Sequence, residues 1–368
     1  MRIRSSSSSS LVGFVLTALA LCGAAGASAS NDVQLVAETT AAADPRFGVS
    51  YRTAYRVEID ENGALFNRFT VHVPDSGGMP EAQRAGRFLA QVWRAANRRF
   101  STLASGLRRT PVDVWLTRTG DAGGEQFRTN LYIYDFASER TGIEWARELA
   151  HEYGHYLLPG ASGYTSPESW SNGVLGERLF LRWLRDDLAA RLISADDLPY
   201  VKPGDLDDFC AKQSAPLTDR VRNNGPDLAA LERTDKKGMD AFSSLMLYMD
   251  DMYGPKSLLD LLDYLDPHSA VGARGVDFLS AFQKSIASSG SGSLRLDTTR
   301  PDMVVLPAGV LELRADGGGQ IAAAVAHKKI ASGAGGILRI KRAAPGWLSL
   351  TVAGDGKPVR VRWKRVSP

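Results

Sequence analysis

The sequence predicts an α+β fold, and three observations carry that expectation. Near the N-terminus apolar and polar residues alternate with period two, the middle of the chain has apolar residues at helical spacing, and short alternating runs return after a Ser/Gly-rich stretch. The 368 residues, 44% hydrophobic and 23% charged, suffice for more than one domain. A formal charge of +3 supplies no bulk field for nucleic acid, which is not expected as a partner.

Residues 1–30 form a segment of their own. Arg2 and Arg4 precede a serine run and the apolar stretch 11–21, which is short for a bilayer span, and Ala27-Ser28-Ala29 supplies a cleavage pattern. This reads as an export signal, so the mature chain is expected in the periplasm or medium, without stable membrane insertion. Losing Arg2 and Arg4 lowers the charge from +3 to +1. Of the two cysteines, Cys22 lies in the signal, where Leu21 stands in place of the small residue that lipid attachment at Cys22 prefers. Cys210, with no partner for a disulfide, reads as a buried, inert thiol.

Residues 31–287 are expected to form the main domain. Alternation in Tyr51-Arg52-Thr53-Ala54-Tyr55 and Phe69-Thr70-Val71-His72-Val73 predicts antiparallel strands over residues 33–73. Ala85, Phe88, Leu89, Val92, Trp93 and Ala96 predict a helix over 81–103. Two apolar runs, 111–116 and 131–134, predict strands joined by the glycine-rich stretch 120–124. Thr141 followed by Glu144 is a capping-box pattern that opens a helix over 142–158, ended by Pro159-Gly160. Ser166 and Pro167 predict the start of the next helix, running toward 191, and further helices are expected at 241–252 and 256–265. Residues 288–293 (SSGSGS) have the composition of a flexible linker, and 294–368 read as a small all-β domain.

The chemistry concentrates in His151-Glu152-Tyr153-Gly154-His155, an H-E-x-x-H pattern on a segment expected to be helical. Histidines four apart share one helix face and can address one Zn²⁺, while Glu152 beside them can take a proton from the water that the metal acidifies. Two of only five histidines fall in this motif. A third ligand must come from elsewhere. On the expected next helix, Glu168 falls in the first turn and reads as a complement to the helix dipole, whereas Glu177 sits in an apolar stretch where an unpaired charge is costly. Glu177 is therefore the expected third ligand, completing a set of His151, His155 and Glu177 around one zinc per chain. His72 and His327 read as structural or exposed, His268 as solvated, and Tyr248 as a packing residue.

His151, Glu152 and His155 followed by Glu177 on the next helix resemble the gluzincin group of zinc peptidases, which includes thermolysin-like and aminopeptidase-like families; the stretch 241–262 is similar to the helix pair completing that fold's lower part. The resemblance spans about residues 131–265. It implies a zincin-like domain with a small mixed sheet, a zinc helix and a mainly helical lower part. It further implies hydrolysis of a peptide or protein substrate with Glu152 as general base. The aminopeptidase motif Gly-x-Met-x-Asn has no match, and neither does the carbonyl-polarising tyrosine, for which the chain offers Gly238, Met239 and Asp240. For the β-domain the expected contact is a cell surface, a glycan or the protein substrate. The alternative is a catalytically weak zinc-site protein that binds or scaffolds an envelope partner. N-terminal sequencing of the exported protein should read from near Asn31; a lipid-modified Cys22 at the terminus would replace secretion by anchoring.

Overall fold

A computed structural model describes residues 32–100, 111–266, 272–326 and 328–367. The expected signal, Cys22, His268 and His327 lie outside them. The chain is α+β. Strands β1 (Val33–Ala43), β2 (Ser50–Glu61) and β3 (Ala64–Val73) form the expected antiparallel meander. Helix α1 (Met79–Phe100) buries Ala85, Phe88, Leu89, Val92 and Ala96 along one stripe. It returns the chain so that β4 (Val112–Leu116) runs parallel to β3.

Beyond β4 the structure adds a strand that the sequence hides. Residues 120–124 read as a connection, yet β5 (Gly123–Phe127) pairs antiparallel with β6 (Asn130–Tyr134), completing a sheet of order β1-β2-β3-β4-β6-β5. Glycines give no alternation to detect; here the strand is defined by backbone pairing alone. It forms one edge of the sheet.

Helix α2 (Gly142–Leu157) begins as expected: the Thr141 hydroxyl accepts from Glu144 N, and the Glu144 carboxylate accepts from Thr141 N. Helix α3 (Asn172–Ala189) starts later than Ser166-Pro167 suggests. The intervening loop doubles back through a bridge between Ser162 and Trp170 and closes where the Ser171 hydroxyl accepts from Ala161 N and donates to Ala161 O. These bonds hold residues 166–171 in a loop that local propensity would have made helical. Where α2 and α3 cross, a side chain on Gly154 would lie 2.7 Å from the Cα of Gly176, and one on Gly176 would lie 2.6 Å from that of Gly154. Only glycine at both positions permits this approach.

The lower part is helical: α4 (Pro203–Phe209), α5 (Ala215–Asn224), α6 (Leu228–Leu231), α7 (Lys236–Tyr253), α8 (Ser257–Asp260) and α9 (Gly275–Ser288). The sequence reading anticipated only the α7 and α8 regions. Buried Asp250 on α7 accepts from the Arg182 guanidinium and from Trp183 Nε1, both on α3, which fixes α7 against α3. Cys210 is buried, and burial raises its thiol pKa, in keeping with an inert role. Among the described residues no helix is long and apolar enough to cross a membrane.

The C-terminal part is β-rich, as expected, but residues 288–293 are no loose tether. Ser288 ends α9, and β7 (Ser291–Leu296) pairs with the last strand, β14 (Val359–Val366). Between them lie β8 (Asp302–Leu306), β9 (Gly309–Ala315), β10 (Ile321–Val325), β11 (Lys328–Gly333), β12 (Ile337–Arg342) and β13 (Gly346–Val352). They form two four-stranded sheets, β11-β10-β13-β8 and β12-β9-β14-β7. Their core is continuous with that of the helices. The fully buried Tyr248 donates its hydroxyl to Met303 O at 2.8 Å; Tyr253 OH donates to Val305 O at 3.0 Å and accepts from Val305 N at 2.6 Å. The serines and glycines that resemble a linker are thus an edge strand and its approach.

Tyr253→Phe leaves Val305 with an unpaired buried amide and should lower stability by about 1–3 kcal/mol, read by urea denaturation. The whole chain should shift in one transition; a lowered midpoint confined to one of two transitions would show that the β-region folds separately.

Candidate metal centre

One face of α2 presents Arg147, His151 and His155, one turn apart each, toward the start of α3. The Nε2 atoms of His151 and His155 both lie 3.0 Å from Oε2 of Glu168. Among the described residues, His151, His155 and Glu168 are the group able to hold a metal ion, with ligand atoms within 4.8 Å of one another. The rings stand edge to face, 5.0 Å between centroids.

Glu168 is held from both sides. Its Oε1 accepts from Val174 N at 3.3 Å, so one oxygen does serve the first turn of α3, while the other faces the imidazoles. Burial disfavours its charge, but hydrogen bonds and proximity to His151 and His155 prevail and bring the carboxyl down to about 2. Burial also lowers the basicity of His151, and Glu168 more than restores it, leaving its pKa raised.

Asn172, the first residue of α3, orients His155. Its Nδ2 donates to His155 O at 3.1 Å and to Leu158 O at 3.2 Å, which leaves Oδ1 to accept from His155 Nδ1 at 2.8 Å. With the proton on Nδ1, Nε2 offers its lone pair to a cation. The next residue, Gly173, leaves the room: a Cβ there would lie 2.4 Å from Nε2 of both histidines. Two imidazoles, a carboxylate and a backbone without a side chain make a cradle whose donors suit a divalent metal.

Glu152 is buried at 4% exposure beside this cradle, and its Oε2 has no hydrogen-bond partner among the described residues. Burial pushes its pKa up to about 7, against the opposing pull of His151 and His155. Gly124 of β5 lies against this carboxylate, too close for any side chain, since a Cβ would meet Oε1 at 2.6 Å. A cleft of about 940 Å³ opens over the site, with Gly124 and Glu125 on one wall and Trp170, Leu259, Leu262 and Leu265 among its apolar lining.

The structure brings together His151, Glu152 and His155 as expected, with Glu168 and not Glu177 at the imidazoles. Glu177 is a correction to the sequence reading: its Oε2 receives Arg147 Nε at 3.1 Å and its Oε1 lies 3.3 Å from Arg178 Nη1. The charge that seemed too costly to bury unpaired is neutralised by two arginines. Arg178 stood beside it in sequence, and Arg147 stands one turn before His151, so the pairing had a signal. His72 is structural, bonded to Asp113 Oδ1 at 2.9 Å and stacked on Trp115, and Tyr248 packs as expected.

No family model matches the chain, and no curated protein matches it. Solved structures that resemble it distantly include two metallopeptidase-type chains. The aminopeptidase A of Legionella pneumophila, in complex with aspartic acid, is 11% identical at a TM-score of 0.33, over 88% of this chain and 41% of that one. An IMPa metallopeptidase in complex with T-antigen is 12% identical at a TM-score of 0.18, over 84% and 47%. The chain thus spans less than half of either structure's length. Likeness of this degree leaves the reading of the site to its own residues.

Gly173→Ala should force the two imidazoles apart. Bound divalent metal, measured after dialysis, should fall well below the wild-type content while the unfolding midpoint barely moves; full metal content in this variant would place the cation elsewhere.

Proposed function

We propose that this protein is an exported zinc metallopeptidase with a zincin-like catalytic domain. The observation that carries the proposal is the convergence of His151 Nε2, His155 Nε2 and Glu168 Oε2 beside the buried, unpartnered carboxylate of Glu152. His151, His155 and Glu168 hold the metal, and the ligand role expected of Glu177 passes to Glu168. Two neutral imidazoles and one carboxylate, with room left for substrate, form a donor set that zinc favours in hydrolytic sites. Zinc bound there supplies Lewis acidity, which acidifies water and polarises a carbonyl.

The chain's own residues do the rest. Glu152, raised to about 7 by burial, accepts a proton from the attacking water and can return it to the leaving amine. Asn172 keeps the His155 tautomer that presents Nε2. The free edge of β5, next to Glu152, offers backbone groups to an extended peptide, and the apolar wall of Leu259, Leu262 and Leu265 suits an apolar side chain.

Three variants test this together by zinc content and cleavage of a denatured protein. Glu152→Gln should retain zinc while turnover falls by about 10²-fold or more. Glu168→Ala should lose zinc, and excess metal should restore part of the activity. Glu177→Ala should keep its zinc but lose stability, since Arg147 loses its carboxylate and Arg178 keeps only Asp240, 3.9 Å away. Zinc retained in Glu168→Ala and lost in Glu177→Ala would return the ligand role to Glu177; a wild-type protein that binds zinc without cleaving would favour the binding or scaffolding alternative.

A further inference from the structure

The near-neutral total hides a separation of charge. Residues 294–368 hold thirteen Lys and Arg against five Asp and Glu, a net of +8, so residues 1–293 carry −5 of the total of +3. The excess is not spread evenly. In the sheet β12-β9-β14-β7 the inward positions are apolar, such as Leu311, Leu313, Val361 and Trp363, so alternate residues face out.

Those outward positions are Arg339 and Lys341 on β12, Arg314 on β9, Arg360, Arg362 and Lys364 on β14, and Arg295 on β7. Against these seven cations stand Glu312 and, at the end of the face, Asp316, while Arg295 lies 3.4 Å from Asp251 of α7. The register puts Arg362 opposite Arg314 and Arg360 opposite Arg295. Like charges directly across a ladder are destabilising, and three carboxylates, Glu312, Asp316 and Asp251, do not balance seven cations. Glu312, at 3% exposure, lies beneath the cluster and receives Arg339 Nη2 at 2.7 Å and Arg314 Nε at 2.9 Å, with Lys364 Nζ at 3.6 Å. It holds upright side chains that are themselves more than half exposed. Arg360 and Lys341 make no ion pair among the described residues.

The arginines run diagonally from Arg339 through Arg314 and Arg362 to Arg295, crossing four strands, about 14 Å at the usual strand spacing. Beside them lies a shallow groove of about 650 Å³, with Ser291, Gly292 and Ser293 along one side and Arg314, Arg360 and Arg362 on the other. Trp363 is the aromatic residue in the groove's lining, and at 2% exposure it offers no open face to a base. Single-stranded nucleic acid depends on stacking platforms that are missing here. A bilayer surface is flat and has no use for a groove. A stripe of forked donors beside hydroxyls fits a chain of sugars bearing carboxylate or sulfate groups.

We propose that the outer face of the sheet β12-β9-β14-β7 binds a linear acidic polysaccharide along this arginine stripe. Binding stands independently of the metal centre. Carboxylated and sulfated chains share the recognised chemistry, and polygalacturonate and heparin distinguish them.

The full mature chain is tested for retardation by each polysaccharide in native gels and for its elution from immobilised heparin as salt rises. Arg360→Ser/Arg362→Ser is compared with Lys328→Ser/Lys329→Ser, which removes the same charge from the other sheet. The arginine pair should weaken binding of the preferred polysaccharide at least tenfold and the lysine pair less than twofold, while Arg360→Lys/Arg362→Lys retains a part. Unchanged unfolding midpoints keep the comparison valid for these exposed positions. Equal losses in the two serine pairs would reduce the effect to net charge and overturn the site. Failure of the wild type to bind either polysaccharide at 0.15 M salt would overturn it too, as would tighter binding to phosphatidylglycerol vesicles or to single-stranded DNA.

Discussion

The site depends on the distance between two helices. Because Gly154 and Gly176 face each other without side chains, α3 approaches α2 at backbone contact, closer than larger residues permit. That approach brings Asn172 within bonding distance of His155 and Gly173 against both Nε2 atoms. It also lets the loop between the helices fold its carboxylate back over the imidazoles. A larger residue at the crossing would move donor, cradle and the Glu168 carboxylate together, which is why a pair of glycines that offer no ligand atom control the geometry of the reactive groups.

A second constraint holds the lower part. Asp250 is buried yet satisfied by Arg182 and Trp183, so α7 is tied to α3 by a charge that cannot leave its partners cheaply. From α7, Tyr248 and Tyr253 reach into the β-sandwich. The sequence of contacts therefore runs from metal cradle to α3, to α7, and to the sandwich, through buried groups throughout.

The parts legible in the sequence are those set by local rules. The capping box at Thr141, the i, i+4 histidines, the amphipathic stripe of α1 and the first three strands follow from patterns within a few residues, and the structure has them. What escaped depends on distant partners. Strand β5 exists through pairing with β6, and its glycines carry no alternation. Ser166-Pro167 is a good local start and predicts Glu168 in the first turn of a helix, but Ser171 and Ala161 bond to each other across the loop and delay the helix. The apolar residues around Glu177 argue for a ligand, and although Arg178 beside it in sequence signals a pairing, the second arginine, Arg147, is assigned to it only by the packing of α2 against α3. Composition alone predicts a linker at 288–293, and it carries no trace of the pairing with β14.

The loop that carries Glu168 is closed by bonds that involve neither histidine. Ser171 fastens it to Ala161, Thr165 N donates to Thr234 O at 2.7 Å, and Ser162 N donates to Ala273 O at 2.9 Å. The conformational entropy of ordering the Glu168 carboxylate is thus lost when the chain folds, not when a cation arrives. A cation entering this centre meets donors already gathered, so association is limited by shedding its own hydration shell and displacing protons from the imidazoles.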